Sequence, residues 1–470
     1  MRKIILFELN EVPFKVIDHY CKTHPKSTLA EIMKVSSQIE TVTEDTGHLS
    51  PWITWPTLHR GVSNKHHQIK DFGEDLSGVN AKYPSIWEIL INKGISTGVF
   101  ASMHSFPAPA NYKDYAFYVP DPFAGDSLAH PEKLMPFQQF NLAMSRKSGR
   151  NVDTGIDMKS ATSLALSLPG LGIKSKTMMD VAGQLVAERT TPWKKTRRRT
   201  FQTVLAFDVY LKLLKKTAPA FSTYFSNHVA STMHRYWAAT FPEDYKQYDL
   251  SQEWKQTYQG EIDFTMGKLN DFLQALIRFI DANPEYKLVM ASSMGQKATI
   301  AEQLKTEVYC EDFNNFLRFF ELPEGCWEIK PAMHPQYNLT LDEPYIEPFK
   351  ENLDQLEING KPISYRLKGN FFSIDLGHRN MDHEYVLYKG EKVPFEKLGI
   401  TNIPIDDETG STAYHVPEGS LVVYDPKDKT PKKERQYGVN SVTIVPSILD
   451  NFNIPVPKYM TSERIDCIAK

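Results

Sequence analysis

A threonine between two tryptophans is the first group in this sequence whose setting could do chemistry. Residues 51–61 read Pro-Trp-Ile-Thr-Trp-Pro-Thr-Leu-His-Arg-Gly, so Thr54 is followed by Pro56 and the stretch closes at Gly61. Proline disfavours a continuing helix and glycine permits a tight exit, which predicts a bend that holds one hydroxyl at the mouth of a pocket. Thr54 is therefore a candidate nucleophile. The alternative is a buried threonine in an aromatic loop without a chemical role.

Carboxylates and histidines suited to proton transfer lie near this bend and near the first predicted strand. Glu8 and Glu11 bracket Asn10 at the end of an apolar run that begins at Lys3. Because a strand alternates its faces, Glu8 and Asn10 share one face. Histidine and carboxylate side chains are common general acids and bases. The candidate catalytic groups are Thr54, Glu8, Glu11 and His59. The candidate substrate-binding groups are Asn10, Trp55, His48, Arg60 and Ser293. For Glu8, an ion pair with a nearby Arg or Lys is an equal alternative.

Several segments resemble, in order, those of the alkaline phosphatase superfamily, in particular its type I phosphodiesterase and nucleotide pyrophosphatase branch. The segments are the bend at 51–61, the opening Lys-Ile-Ile-Leu-Phe-Glu-Leu-Asn-Glu, and residues 224–237, 288–295, 412–421 and 442–460. The resemblance implies an α/β fold. It is a three-layer α/β/α sandwich with a mostly parallel central sheet and cap insertions.

The same resemblance implies that most metal ligands of the family are replaced here. Enzymes of that family hold two divalent ions with carboxylates and histidines. Asn10 stands where the family has its first Asp, Ser293 and Met294 stand in its Ser-Asp-His-Gly segment, and Ala230 replaces the Asp four residues before His234. Amide, hydroxyl and thioether groups are poor substitutes for such ligands. We therefore expect no two-metal site, and either no ion or a single zinc-like ion. The candidate metal ligands are His234, His415 and His228.

Composition is that of an ordinary globular protein. The 470 residues are 41% hydrophobic and 24% charged with a net charge of −3, which gives no case for a nucleic-acid partner. The four cysteines lack metal or disulfide spacing, as a reducing compartment allows. The first apolar run is too short for a signal peptide, and no stretch approaches the roughly 20 apolar residues of a membrane span. These features predict a cytoplasmic protein.

Strand and helix patterns alternate in only part of the chain. A strand at 3–9 precedes a helical stretch at 13–34, and a helix at 86–93 leads to a strand at 97–101. Such alternation is typical of parallel β-α units. Prolines interrupt the pattern after residue 105, and a second irregular stretch begins near 300. We predict a core formed by 1–104, 221–299 and 411–470, with cap insertions at 105–220 and 300–410.

A basic run beginning at Trp193 is followed by an apolar-rich stretch. It reads Trp-Lys-Lys-Thr-Arg-Arg-Arg-Thr, and residues 193–216 together predict a helix with a cationic start. One interpretation is a solvated helix face. The other is contact with an anionic partner, either a membrane surface or a phosphorylated small molecule such as a lipid-linked saccharide or nucleotide sugar.

Three functions fit the resemblance and the replaced ligands. The first is a phosphodiesterase-like enzyme acting on a phosphorylated substrate with a degenerate metal site. The second is a metal-independent transferase in surface-polysaccharide or glycolipid biosynthesis, in which Glu8, Glu11 and the histidines replace the metals. The third is a catalytically silent binding or regulatory homologue. Loss of metal ligands favours the last two, whereas retention of Thr54 and two imidazoles argues against a wholly decayed site.

Overall fold

A computed structural model of the chain describes residues 1–146, 170–432 and 434–470. Residues 147–169, within the predicted first insertion, lie outside the described residues. The domain boundaries given above remain our proposal for how the chain is divided.

An eight-stranded sheet forms the centre of the fold. Its strands, in spatial order, are Arg435–Asn440, Ser37–Val42, Glu418–Tyr424, Tyr286–Ala291, Lys3–Leu9, Phe221–Ser226, Thr97–Phe100 and Phe117–Val119. Seven of the eight run in one direction, and only Glu418–Tyr424 is antiparallel to its neighbours. The strand Lys3–Leu9 is buried along nearly its whole length between two parallel partners, as its apolar run Ile-Ile-Leu-Phe requires.

Two groups of helices cover the sheet and complete the expected three-layer α/β/α sandwich. One group consists of Phe14–Thr23, Thr28–Met33, Arg198–Thr217, His228–Thr240, Gln252–Tyr258 and Glu261–Ala282. The other consists of Pro51–Arg60, Asn64–His67, Ile86–Asn92, Ile444–Asn451 and Asp466–Ala469. Three further helices are Ser77–Lys82, Met135–Arg146 and Ser175–Thr190. The helical stretch predicted at 13–34 is divided into Phe14–Thr23 and Thr28–Met33.

The bend predicted at residues 51–61 is wrong, because Pro51–Arg60 is an α-helix. Pro51 occupies the first turn, where proline is tolerated, and Gly61 ends the helix with a left-handed φ of 62°. Pro56 cannot donate to the carbonyl of Trp52 four residues earlier. That carbonyl accepts a hydrogen bond of 2.7 Å from Nε2 of His104 instead. A tertiary contact thus supplies the donor that proline removes.

A second hydrophobic core lies within residues 308–400 and is separate from that of the central sheet. The strands of this region are Thr306–Cys310, Trp327–Lys330, Gln336–Leu341, Leu356–Ile358, Lys361–Pro362, Ser364–Lys368, Phe371–Asp375, Tyr385–Tyr388, Glu391–Pro394 and Ile400–Pro404. Beside it, Gly295–Ala298 and Ala413–Val416 pair as a separate two-stranded antiparallel sheet. The helices of the second core region are Phe313–Phe319 and Glu343–Leu353. The amide of Asn338 ties this region to the first core segment by donating to the carbonyl of Phe72 at 2.9 Å.

Within residues 1–146, 170–432 and 434–470, no helix has both the length and the apolar character that a bilayer span needs.

Candidate active site

A cavity of about 520 Å³ opens at the carboxyl ends of the central parallel strands. Asn10 and Glu11 follow the first strand, and Asn227 follows Phe221–Ser226. Carboxyl ends of parallel strands meet at one edge of a sheet, which is where ligands commonly bind in open α/β folds. Residues 333–336 and 375–379 of the second core region also line the cavity. The cavity is therefore built from both parts of the molecule.

Glu11, His234 and His415 converge on this cavity. Oε2 of Glu11 lies 2.9 Å from Nε2 of His234 and 3.4 Å from Nε2 of His415. One ligand atom from each residue falls within 4.8 Å of the others. The ring centroids of His234 and His415 are 5.2 Å apart. Glu11, which we predicted as a catalytic group, is the carboxylate beside them.

The backbone fixes both imidazole rings. Nδ1 of His234 donates to the carbonyl of Ala413 at 2.8 Å, and Nδ1 of His415 donates to the carbonyl of Leu49 at 2.7 Å. A carbonyl acceptor places the proton on Nδ1 and leaves the lone pair of a neutral ring on Nε2. Histidines that bind metals are usually oriented in this way.

Glu11 reaches the histidines because of its backbone conformation. It follows the first strand with a left-handed φ of 59°. Nδ2 of Asn10 donates to its Oε1 at 2.8 Å, and the amide of Gln296 donates to its Oε2. Burial opposes ionisation of Glu11, but the charges and hydrogen bonds of His415 and His234 hold its pKa well below the ordinary value. Burial likewise opposes protonation of His415, and attraction to Glu11 raises the pKa of that imidazole.

The two distances from Glu11 to the imidazoles suit one tetrahedral metal ion. Ligand atoms about 2.0–2.2 Å from such an ion lie roughly 3.4 Å from one another. The distances of 2.9 and 3.4 Å between carboxylate oxygen and imidazole nitrogens are close to that value. Two imidazoles and one carboxylate form a donor set that zinc accepts, and all three residues line the cavity, so a fourth position would face it.

His228 does not join this group, although we expected it to supply a ligand. Its Nδ1 is 2.8 Å from the hydroxyl of Ser226, and its Nε2 is 3.2 Å from the carbonyl of Thr265. Both ring nitrogens are therefore engaged on the helix side of the cavity wall. Burial lowers the pKa of His228 to about 4, which keeps the ring neutral.

Thr54 is placed beneath the cavity rather than on it. The residue has no exposed surface, and its hydroxyl lies 2.8 Å from that of Ser293 and 3.3 Å from the carbonyl of Ser50. Neither Thr54 nor Ser293 is among the residues that line the cavity. In this arrangement the hydroxyl cannot reach a substrate. Nucleophilic attack by Thr54 remains a prediction that requires the helix Pro51–Arg60 to move.

Glu8 and His59 form a buried pair behind the cavity wall. Oε1 of Glu8 is 2.8 Å from Nε2 of His59, and the two residues are 0% and 1% exposed. The partner of Glu8 is thus a histidine and not the Arg or Lys that we considered. Trp55 is also fully buried and donates from Nε1 to Oδ1 of Asn10 at 2.7 Å. The structure does not bring Glu8, His59 or Trp55 to the cavity surface.

Of the other predicted binding groups, His48 and Asn10 line the cavity and Arg60 does not. The ring of His48 lies 6.5 Å from that of His415, and burial, followed by the charge of His415, lowers its pKa. Arg60 donates to Oδ1 of Asn80 at 2.8 Å and to the carbonyl of Tyr83. Its burial lowers the pKa of the guanidinium to about 10. Arg60 therefore anchors a loop.

Sequence reasoning missed several polar groups of the cavity. Arg199 lines it with Nη1 3.1 Å from the hydroxyl of Ser231. Across the cavity, Glu307 contacts Nε2 of His334 at 3.3 Å and Nε of Arg379 at 3.6 Å. The basic run was a signal for Arg199. No local pattern marks Glu307, His334 or Arg379, which lie in the second core region.

No protein-family model matches the sequence, and a search of curated proteins finds no match either. Solved structures do match over almost the whole chain. Murine ectonucleotide pyrophosphatase/phosphodiesterase 5 is 9% identical with a TM-score of 0.42, and the match covers 97% of this chain and 96% of that one. The human protein of that name is 10% identical with a TM-score of 0.40, over 99% and 98% of the two chains. Phosphonoacetate hydrolase from Sinorhizobium meliloti, in complex with phosphonoacetate, is 11% identical with a TM-score of 0.38, over 95% and 94%.

These solved structures are similar to the chain in fold. The α/β/α fold itself follows from the chain's own strands and helices.

Proposed function

We propose that this protein is a phosphoryl-transfer enzyme, most simply a phosphodiesterase-like hydrolase, that uses at most one divalent metal ion. The observation that carries the proposal is the convergence of Glu11, His234 and His415 at the cavity. The resemblance provides the reaction class. The proposed substrate is an anionic phosphorylated small molecule, with a phosphodiester, a nucleotide sugar or a lipid-linked saccharide as candidates.

Each residue of the site has a separate task in this proposal. Glu11 supplies negative charge, and the two imidazoles supply neutral nitrogen ligands whose orientation the carbonyls of Ala413 and Leu49 fix. An ion held by the three groups would polarise a phosphoryl oxygen as a Lewis acid. A second ion is not expected, because Asn10 donates its amide to Glu11 and to Asn227 instead of offering a carboxylate.

Arg199 is the proposed site for the charge of the substrate. Its guanidinium lies on the cavity wall beside the hydroxyl of Ser231. Ser231 belongs to the helix that also carries His234. Guanidinium groups bind phosphate oxygens through charge-assisted hydrogen bonds. We expect Arg199→Met to raise KM for an anionic substrate about tenfold or more and to change kcat less.

A metal-independent transferase of surface-polysaccharide or glycolipid biosynthesis is the second candidate. One observation favours it. The same distances that fit a metal also fit direct hydrogen bonds between the Glu11 carboxylate and protonated imidazoles. An ionised Glu11 paired with protonated His415 would be a stable acid-base pair without any ion.

Metal analysis together with activity separates these candidates. The purified chain would be analysed by elemental mass spectrometry and by titration with Zn²⁺ and Mn²⁺. Glu11→Gln and His415→Ala would be compared with the exposed control variants Glu31→Gln and His24→Ala. We expect one ion per chain in the wild type and both controls, and loss of the ion in both site variants. Two well-occupied ions would contradict the proposal.

Activity would be measured on a p-nitrophenyl phosphodiester, nucleotide sugars and lipid-linked phosphates. We expect weak turnover of the generic diester even with added metal, since one ion replaces two. Turnover that persists after chelation, with no ion bound, would favour the transferase. Absence of turnover on every substrate, with the ion bound, would favour a silent binding protein.

A further inference from the structure

The helix Ser175–Thr190 exposes apolar side chains and buries polar ones, the opposite of an ordinary surface helix. Met179 and Val186 are 66% and 62% exposed, and Met178 and Leu185 on the same side are also exposed. Positions 178, 179, 185 and 186 lie along one face of an α-helix, because seven residues make about two turns. Large exposed apolar residues clustered on one element commonly mark an interaction surface.

The opposite side of this helix is polar and faces the protein. The hydroxyl of Thr177 donates to Asp208 at 2.6 Å, and Nε2 of Gln184 donates to the carbonyl of Lys194 at 2.7 Å. Glu188 forms an ion pair with Arg198 at 2.6 Å. Thr177, Gln184 and Glu188 are buried. Polar contacts therefore fix the helix to the body of the protein and turn its apolar residues outward.

The surroundings of the exposed apolar face are strongly basic. Residues 174–199 contain eight Lys and Arg side chains but only two acidic ones, in a chain whose net charge is −3. Lys174, Lys176 and Arg189 are exposed at the two ends of the helix. Four of the eight are in ion pairs: Lys174 with Asp208, Lys176 with Asp180, Arg197 with Glu261 and Arg198 with Glu188. The remaining basic side chains give the segment an excess of positive charge beside its exposed apolar side chains.

We propose that the helix Ser175–Thr190 docks on the surface of an anionic lipid bilayer. Met178, Met179, Leu185 and Val186 enter the interfacial region, and the flanking cations contact lipid headgroups. A helix with apolar residues on one side and Lys or Arg at its margins is suited to lie in the membrane interface. Each basic side chain near an anionic surface adds attraction that salt screens.

The buried side of the docking helix is joined to the wall of the candidate active site. Arg198 pairs with Glu188 of the docking helix, and the next residue, Arg199, lines the cavity. The membrane contact itself does not depend on the proposed function, because it rests on residues outside the cavity.

Vesicle co-sedimentation of the full chain tests the proposal. Vesicles of phosphatidylcholine with phosphatidylserine would be compared with vesicles of phosphatidylcholine alone, at low and high salt. We expect binding to the anionic vesicles that weakens as salt is added. The double variant Met179→Ser, Val186→Ser should bind about tenfold more weakly, since it loses the apolar area that enters the interface.

A matched control removes exposed apolar area elsewhere. Ile300 and Ile329 are 64% and 44% exposed and lie outside the helix and the cavity. The double variant Ile300→Ser, Ile329→Ser should bind vesicles as the wild type does. Light scattering of both variants would check folding and oligomeric state. Absence of wild-type binding to anionic vesicles, or equal binding by the helix variant, would overturn the proposal. A dimer that only the helix variant disrupts, without vesicle binding, would assign the face to a second copy.

Discussion

Glu11, one of the candidate catalytic groups chosen from the sequence, is the carboxylate that lies beside His234 and His415. The resemblance assigns a carboxylate of the second metal site to position 230, where this chain has Ala230. Glu11 brings a carboxylate to His234 and His415 from the end of a different strand. Gln296 donates both to Glu11 and, at 3.2 Å, to the carbonyl of Ala230, so the two positions are neighbours.

Removing the Glu11 carboxylate should weaken metal binding, and a carboxylate placed at position 230 should restore part of it. We expect Glu11→Gln to lower the affinity for Zn²⁺ about 100-fold or more, because it keeps the volume but removes the charge of a ligand. The double variant Glu11→Gln, Ala230→Asp should recover a substantial part of this loss. Calorimetric titration of both variants measures the effect. No recovery in a folded double variant would show that position 230 cannot direct a carboxylate at the two histidines.

Thr54 gives a prediction about stability. Its buried hydroxyl is 2.8 Å from the hydroxyl of Ser293. We expect Thr54→Val to lower the free energy of unfolding by about 1–2 kcal/mol, since the Ser293 hydroxyl would lose a buried partner. Turnover should be unchanged if the helix Pro51–Arg60 stays in place during catalysis, and Thr54→Ser should restore stability. Denaturant unfolding and steady-state kinetics measure the two effects. A large loss of kcat in folded Thr54→Val, absent in Thr54→Ser, would establish the nucleophile role.

At the scale of elements, the helix Pro51–Arg60 depends on two neutral histidines. His104 donates to the carbonyl of Trp52, and Nε2 of His67 is 2.9 Å from the hydroxyl of Thr57. Burial lowers the pKa of each of these imidazoles to about 3. Protonation of either ring would put a positive charge in a buried environment that already contains the charge of Arg60. We therefore expect this helix to be sensitive to acid.

Acid should destabilise the protein in a defined pH range. The unfolded histidines take up protons below pH of about 6.5, while the folded ones stay neutral until about pH 3. The contribution of these two histidines to the free energy of unfolding is therefore complete above pH of about 6.5. It falls as pH decreases, by up to about 1.4 kcal/mol per pH unit for each histidine. We expect His104→Gln to remove one part of this slope, and His24→Gln to leave it unchanged. Urea unfolding from pH 7 to pH 4.5 measures the slopes.

The basic run is also explained at this scale. Arg197 pairs with Glu261 at 2.5 Å and Arg198 pairs with Glu188 at 2.6 Å, so both fix helices to one another. Only Arg199 of the three lines the cavity. Neutralising the whole run would therefore change folding and ligand binding together. The single variant Arg199→Met changes the charge of the cavity and leaves the ion pairs of Arg197 and Arg198 in place.

At the scale of the whole molecule, the cavity exists because the second core region packs on the sheet edge. Asn338 is buried and its amide donates to the carbonyls of Phe72 and Pro331 at 2.9 Å each. Lys368 and Glu74 form a further ion pair across this contact. His334 and Arg379 thus line the same cavity as Glu11 and Arg199 through a tertiary contact that joins distant parts of the chain.

Loosening this contact should affect binding more than chemistry. We expect Asn338→Ala to lower the free energy of unfolding by about 1–3 kcal/mol, because two buried carbonyls lose their donor. It should raise KM with a smaller change in kcat, since the cavity wall is displaced while the Glu11 cluster is not. Hydrogen exchange of residues 333–341 and kinetics measure the outcome. The exposed variant Gln355→Ala is the control, and equal KM in both variants would contradict the prediction.

The sequence by itself predicted the mostly parallel α/β core and selected His234 and His415 as candidate ligands. The apolar run Ile4–Phe7 predicts a strand, and the structure buries it within the central sheet. The resemblance assigned the two histidines to one proposed metal site, and the structure places their ring centroids 5.2 Å apart.

Only the tertiary structure decided which groups surround those histidines and which are buried beneath them. Glu11 points at them because of a left-handed backbone and contacts with a residue 285 positions away. Thr54 is buried because Pro51–Arg60 is a helix, and that helix tolerates Pro56 because His104 supplies the missing donor. Local patterns report the conformations a segment prefers. The partners that satisfy a proline-freed carbonyl or orient a buried carboxylate come from distant segments, and their positions exist only after the chain has folded.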